Sequence, residues 1–199
     1  MNQHAASIPP EGRHCYAVRV YYEDTDAGGI VYHASYLRYA ERARTEALRD
    51  LGIPHAEMVR RYNLMFVVRR IEVDYLRPAR VDGSLVVETE ILVAGAASAT
   101  LRQTVRGAAG TCAVLAVKLA CVRLLPGPPG TGPGGMGPQG TGPEGLGPER
   151  LGPGGSRPAR LPQRWRTVLQ AMRDARPAGT ATGAASDGTG QGGCGGSSS

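Results

Sequence analysis

The spacing of hydrophobic residues up to about residue 125 predicts one long helix and a series of strands. Residues 35–51 carry an apolar stripe on one helical face, with Ser35 suited to cap the helix and Gly52 suited to end it. A shorter helix is expected over 54–61. Five segments show the alternation or the apolar runs of β-strands: residues 16–22, 64–76, 84–94, 98–106 and 112–124. The last of them is apolar on both faces, which predicts a central strand.

These elements predict an α+β fold in which one sheet of about five strands wraps around the long helix. The helix at 35–51 is the only long one available, so it supplies the apolar surface that the inner face of the sheet needs. A single domain of this kind leaves a sheet edge unpaired. We therefore expect a homodimer whose two sheets join, or a homotetramer built from such dimers.

The composition changes abruptly after residue 125, where most of the 29 glycines and 15 prolines lie. Gly-Pro opens each unit of a five-residue repeat from Gly127 to Gly152. A period of five excludes a collagen helix, which needs glycine at every third position. The repeat lacks the side chains of a core, so residues 126–157 are expected to form a disordered linker.

A last ordered element is expected beyond the linker, within residues 158–176. Pro162 suits the start of a helix. Four apolar residues that follow share one helical face: Trp165, Val168, Leu169 and Met172. We expect this amphipathic helix to dock on the body of the protein. Residues 1–15 and 177–199 are expected to be flexible, so the domain proper spans residues 16–125.

Charge and cysteine usage exclude several classes of protein. The 23 Lys and Arg against 17 Asp and Glu give a net charge of +6, but no basic stripe with interleaved aromatics indicates nucleic-acid binding. No apolar run approaches the roughly 18 residues of a membrane span, and the N-terminus lacks the pattern of a secretory signal. The four cysteines (15, 112, 121 and 194) have no zinc-site spacing, which favours free thiols in a reducing cytoplasm and no bound metal.

The candidate chemistry lies in the loop between the first strand and the long helix. The loop contains Glu23, Asp24 and Asp26, and Gly28-Gly29 allow a sharp turn and a close backbone approach. Acid-rich loops before helices are usually solvated. Here, however, the first turn of the helix offers unpaired N–H groups and a positive dipole end beside the acids. A carboxylate next to such donors suits acyl transfer, in which it attacks or activates water while the donors hold the oxyanion.

The order of residues in this loop and helix resembles a known enzyme family. The pattern Y-x-D-T-D-A-G-G-I-V-Y-H-A-x-Y-L-R-Y-x-E-x-A-R begins at Tyr22. It resembles the hotdog-fold acyl-CoA thioesterases, in the branch related to 4-hydroxybenzoyl-CoA thioesterase and most closely the Tol-Pal-associated YbgC type. The resemblance covers about residues 16–125, and the segment from RPARLP onward is similar to the family's terminal segment. It implies a hotdog fold, with a curved antiparallel sheet around one long helix, and hydrolysis of acyl-CoA without metal or cofactor.

The resemblance also implies roles for individual residues. Asp26 falls on the family's catalytic carboxylate, acting either as nucleophile or as general base. The backbone N–H of His33 falls on the group that polarises the thioester carbonyl, and the His33 imidazole is a further candidate for orienting substrate or water. Tyr32 and the turn at Gly28-Gly29 are expected to shape the acyl pocket. Ser35 stands where the family usually has Asn, so it should still cap the helix while altering any substrate contact made there.

Other polar residues have weaker claims. Asp24 is expected to fix the loop through backbone N–H groups rather than to catalyse, and Glu41 is a minor candidate on the helix. Four arginines near a strand and its end are either ordinary surface charge or ligands for the phosphates of coenzyme A: Arg69, Arg70, Arg77 and Arg80.

Three functions are compatible with these residues. The leading hypothesis is hydrolysis of an acyl-CoA thioester to a free acid and CoA. A second is hydrolysis of thioesters carried on acyl carrier protein, whose acidic surface would suit an arginine-rich partner. A third is a non-enzymatic scaffold at the cell envelope, in which the Gly-Pro arm and the terminal helix are the binding parts.

Overall fold

The computed structural model describes residues 10–125 and 156–176, which form six strands and three α-helices. The strands are β1 Arg13–Arg19, β2 Leu64–Tyr75, β3 Ser84–Ala94, β4 Ser98–Gly107, β5 Gly110–Leu124 and β6 Ser156–Pro158. The helices are α1 His33–Asp50, α2 His55–Tyr62 and α3 Gln163–Asp174. Residues 126–155 of the predicted linker, the tail at 177–199 and residues 1–9 lie outside the described residues.

All strand pairings are antiparallel, in the order β1-β3-β4-β5-β2. The short strand β6 pairs with the end of β5. The expected central position of 112–124 is confirmed, because β5 lies between β4 and β2. On one face Ala113, Leu115, Val117 and Cys121 are fully buried, whereas Lys118 on the other face is exposed.

The inner face of this sheet packs on α1, as the apolar pattern predicted. Tyr39, Ala40 and Ala43 of the helix are fully buried and share one hydrophobic core with residues of the sheet such as Val87 and Val105. The polar side of the helix, including Arg38 and Glu41, is exposed. Burial of this helical face against the sheet is the main contribution that holds the domain together. The α+β prediction is therefore confirmed.

Two predicted boundaries are wrong at their N-terminal ends. Helix α1 begins at His33, and its N-cap is Tyr32 rather than Ser35. The Tyr32 carbonyl accepts the Ser35 N–H at 2.8 Å, so Ser35 lies inside the first turn, where its side chain is buried. Strand β1 spans Arg13–Arg19 rather than residues 16–22, because its pairing with β3 runs from Arg13 opposite Glu90 to Arg19 opposite Ser84.

The segment that follows the predicted linker packs against the domain. The N–H of Ala159 donates to the Cys121 carbonyl at 3.0 Å, and that of Leu161 donates to the Ala96 carbonyl at 2.9 Å. Helix α3 then buries Trp165, Leu169 and Met172 against the sheet and the turn before β1. Ser156 and Arg157, which the composition assigned to the linker, belong to β6. Their backbone pairing with β5 explains why these two residues form a strand although the segment has little apolar character.

The described cysteines differ in state. Cys112 and Cys121 are free and buried, and burial raises the pKa of Cys121 to about 11, so this thiol is poorly reactive at neutral pH. Cys15 is disulfide-bonded, so the expectation of a free thiol is wrong for that residue. Among the described helices, none is both long enough and apolar enough to cross a bilayer.

Candidate active site

The loop from Tyr21 to Tyr32 folds back on itself as a small hairpin. The N–H of Asp26 donates to the Ile30 carbonyl at 2.9 Å, Thr25 is bridged to Val31, and the N–H of Tyr32 donates to the Asp24 carbonyl at 2.8 Å. This register brings the acidic arm of the loop beside the residue that caps α1.

Asp26 begins the tight turn at the tip of the hairpin. Its carbonyl accepts the Gly29 N–H at 3.0 Å, and its Oδ1 accepts the Gly28 N–H at 2.8 Å. Asp at the first position of a turn commonly makes such a bond. Gly29 has a φ of +71°, and an added Cβ there would meet no atom within 4 Å, so the front of the turn is open. The Asp26 side chain is exposed in the single chain.

Asp24 is the structural acid of the loop. It is only 4% exposed, and its Oδ2 accepts the Tyr21 N–H at 3.0 Å. Burial, together with the neighbouring Asp24 carboxylate, raises the pKa of the Tyr39 hydroxyl. The prediction that Asp24 fixes the loop through a backbone N–H is therefore confirmed.

The start of α1 presents unpaired backbone N–H groups, which the sequence predicted for the first turn of this helix. His33 is the first helical residue, and neither its N–H nor that of Ala34 has an acceptor among the described residues. The Tyr32 and His33 rings are both exposed, with centroids 4.2 Å apart. The next donor, the Ser35 N–H, is already used by the Tyr32 carbonyl.

A second loop, after β2, holds the hairpin and the helix start together. The Ala79 carbonyl accepts the Val31 N–H at 2.8 Å, and the Ala79 N–H donates to the Tyr36 hydroxyl at 3.1 Å. At the end of β2, the Tyr75 hydroxyl donates to the His33 carbonyl at 3.0 Å. Sequence reasoning missed Tyr36 and Tyr75 as positioning residues. An aromatic residue that ends an alternating strand, as Tyr75 does, was the available signal.

The structure brings some of the predicted site residues together and leaves others apart. Asp26, Gly28, Gly29, Tyr32 and His33 belong to one hairpin and the helix that it enters. Ser35 is only 2% exposed, so its hydroxyl does not reach the surface of the single chain.

The four arginines are spread along and beyond β2. Arg70 pairs with Glu72, and Arg69 lies at the irregularity in the pairing of β2 with β5. Arg70 precedes Tyr75 by five residues, about 16 Å along a strand. Arg77 and Arg80 are exposed beyond the strand, and Arg80 is bridged to Ile30 of the hairpin, so it lies much nearer to the turn. The exposed Glu41 accepts only the Thr45 hydroxyl, at 3.4 Å, among the described residues.

Comparison with known proteins identifies the family. Residues 28–114 match the Thioesterase superfamily. The chain is 44% identical over 109 residues to the acyl-CoA thioesterase YbgC of Haemophilus influenzae, covering 55% of this chain and 80% of that protein. The chain belongs to the thioesterase superfamily. It is also 47% identical over 94 residues to the acyl-CoA thioester hydrolase YbgC of Escherichia coli (strain CFT073), covering 47% of this chain and 69% of that protein.

A solved structure agrees with the family and the fold. The probable thioesterase from Bartonella henselae is 35% identical, with a TM-score of 0.53, over 55% of this chain and 90% of its own. The predicted resemblance to hotdog thioesterases of the YbgC type is confirmed, and so is the classification as a thioester hydrolase.

Proposed function

We propose that this thioesterase hydrolyses an acyl-CoA thioester to a free acid and coenzyme A. The observations that carry the proposal are the two unpaired N–H groups at the start of α1 and the exposed Asp26 carboxylate at the turn of the hairpin that leads into this helix. The names of the two YbgC relatives support acyl-CoA as the substrate class. We place the reaction in the cytoplasm, in keeping with the sequence.

Two mechanisms fit this arrangement. In the first, an Asp26 oxygen attacks the thioester carbonyl, the C–S bond breaks and CoA leaves as a thiolate that takes a proton from water. Water then hydrolyses the mixed anhydride and restores the carboxylate. In the second, Asp26 removes a proton from a water molecule that attacks the carbonyl directly; the C–S bond then breaks, and the CoA thiolate takes up the proton that Asp26 holds. In both, the N–H of His33 stabilises the negative oxygen of the tetrahedral intermediate.

Substrate contacts are assigned around that centre. The exposed Tyr32 ring and the open face of the Gly28-Gly29 turn form one wall for the acyl group. Arg69 and Arg70 are proposed to contact the CoA phosphates, and Arg80, next to the hairpin, is the better placed of the other two arginines. No cofactor enters the scheme.

The sheet edge at β2 is proposed to join a second copy of the chain as a homodimer. β2 has twelve residues at the edge of the sheet, and Val68 on it is 47% exposed. An unprotected edge of this length invites pairing. Tyr75, at the end of the same strand, bonds to the start of α1, so a partner at this edge would lie close to the candidate site.

Val68→Arg tests the dimer, and Val59→Arg on α2, also an exposed valine, is the matched control. Sedimentation velocity should show the first variant as a monomer with reduced turnover, because buried like charges oppose pairing. The second should keep the mass and the activity of the original chain. A wild-type monomer, or a dimeric Val68→Arg variant, would contradict this assignment.

The substrate class is tested by turnover of the full chain on acyl-CoAs from acetyl to palmitoyl and benzoyl, with the same acyl groups on acyl carrier protein in parallel. We expect thiol release from at least one acyl-CoA with a higher kcat/KM than from its carrier-protein counterpart. The reverse preference would favour the carrier-protein hypothesis. No thiol release from either series would favour the scaffold hypothesis.

A further inference from the structure

The hydroxyl of Tyr75, at the end of β2, bonds to a carbonyl in the first turn of α1. It donates to the His33 carbonyl at 3.0 Å. In an α-helix each carbonyl accepts the N–H four residues further on, and its second lone pair is left for another donor. The Tyr75 bond therefore adds to the helix without replacing any hydrogen bond of its backbone. It links the edge of the sheet directly to the proposed oxyanion donors.

The bonded carbonyl belongs to the peptide group that joins His33 to Ala34. The other polar end of this group is the Ala34 N–H, which has no acceptor among the described residues. Because the carbonyl and the N–H are conjugated in one amide, a hydrogen bond donated to the oxygen makes the N–H a stronger donor. Such polarisation strengthens a hydrogen bond by roughly 10–30%. Tyr75 therefore acts on an N–H that no other described residue uses.

The ring of Tyr75 is fixed by its neighbours, so its hydroxyl is a directed donor. The backbone of Tyr75 pairs with Ala113 of β5, and its ring lies edge-on to the buried Tyr36 ring, with centroids 5.6 Å apart. The His33 ring lies edge-on to it as well, at 6.4 Å. Partial burial raises the pKa of the Tyr75 hydroxyl, so this group stays protonated and able to donate at neutral pH.

We propose that Tyr75 is a positioning residue of the thioesterase reaction: its hydroxyl orients and polarises the His33–Ala34 peptide group, so that the Ala34 N–H joins the His33 N–H in holding the oxyanion. The inference rests on the function proposed above. The carbonyl oxygen of a bound thioester is uncharged, whereas in the tetrahedral intermediate that oxygen is negative. A strengthened donor thus favours the intermediate over the bound substrate, which raises kcat more than it changes KM.

Tyr75→Phe tests this role, because it deletes the hydroxyl and keeps the ring that packs against Tyr36. With the best acyl-CoA from the panel, we expect kcat to fall about three- to tenfold, the effect of one neutral hydrogen bond, while KM stays within about twofold. Tyr22→Phe is the matched control, since the Tyr22 residue is 81% exposed and its hydroxyl has no partner among the described residues. It should keep both constants. An unchanged kcat in Tyr75→Phe, or an equal loss in Tyr22→Phe, would overturn the proposal.

A second background identifies the N–H through which Tyr75 acts. His33→Pro removes the His33 N–H and keeps the carbonyl to which Tyr75 donates. In that background Tyr75→Phe should lower kcat by at least the same factor as in the original chain, because the Ala34 N–H then holds the oxyanion alone. If Tyr75→Phe costs nothing there, Tyr75 acts through the His33 N–H, and the role given to Ala34 is wrong.

The amide proton of Ala34 gives a readout that needs no turnover. In the full chain labelled with ¹⁵N-alanine, Tyr75→Phe should move this proton upfield, as expected of a less polarised amide, while Tyr22→Phe leaves it in place. The signal is assigned by its loss in Ala34→Ser. If the original chain releases no thiol from any acyl-CoA, it is the proposed function that fails, and this shift still decides whether Tyr75 polarises the peptide group. A proton that does not move in Tyr75→Phe would overturn the inference, whatever the turnover.

Discussion

Asp26→Asn is expected to lower kcat by about 10²- to 10⁴-fold, the range that a positioned acid–base group contributes. The substitution removes the negative charge and the basic oxygen that either mechanism requires. It should leave the hairpin intact, because the Asn carbonyl oxygen can still accept the Gly28 N–H that Asp26 Oδ1 accepts now. The measurement is steady-state thiol release with the best acyl-CoA found in the panel, together with a thermal unfolding curve.

Glu23→Gln is the matched control for that experiment. Glu23 is an exposed carboxylate of the same loop, so its loss changes the net charge equally and removes none of the proposed machinery. We expect its kcat to stay within about twofold of the original value, since water and salt screen an exposed charge that takes no part in the reaction. Equal losses in the two variants would mean that general loop charge, and not the position of Asp26, is what matters. Full turnover in Asp26→Asn would remove Asp26 from the mechanism.

The two acids of the loop show what sequence reasoning can assign and why. Asp24 and Asp26 are two residues apart and chemically identical, so spacing alone cannot separate them. The resemblance favoured Asp26 for catalysis, and the hairpin register supplies the physical difference. Asp24 faces the buried Tyr39 and bonds a backbone N–H, whereas Asp26 lies at the open turn. Burial thus gives Asp24 a structural role, and this burial cannot be deduced from the loop sequence alone.

Helix α1 also combines features that the local sequence predicts with features that only the folded structure shows. Its stripe of apolar residues predicted the buried face correctly, because 3.6-residue periodicity depends only on local sequence. Arg44 reads as a solvent-facing charge in that pattern, yet it is buried against Gln103, 59 residues further along the chain. The bond between Tyr75 and His33 joins residues 42 apart. Contacts of this kind depend on the order of strands in the sheet. The residues that position the site, such as Tyr75, were therefore not predictable from a local pattern.

His33→Pro is the sharpest test of the proposed oxyanion donor. His33 is the first residue of α1, where proline is well tolerated because the N–H it lacks has no partner in the helix. Tyr32 already has φ −60° and ψ 136°, a conformation compatible with a following proline. The substitution therefore deletes one N–H with little change to the backbone. We expect kcat to fall about 10²- to 10³-fold, the usual effect of losing one oxyanion donor.

His33→Ala is the control, because it removes the imidazole and keeps the N–H. If the backbone donor does the work, the Ala variant retains most of its turnover while the Pro variant loses it, and both unfold at similar temperatures. Equal losses in the two variants would instead assign the effect to the imidazole, the second role predicted for His33. If both variants turn over normally, the donor lies elsewhere, and the N–H of Ala34, which also has no acceptor among the described residues, becomes the group to test. Comparing the two variants with the same acyl-CoA therefore separates a backbone from a side-chain contribution at a single position.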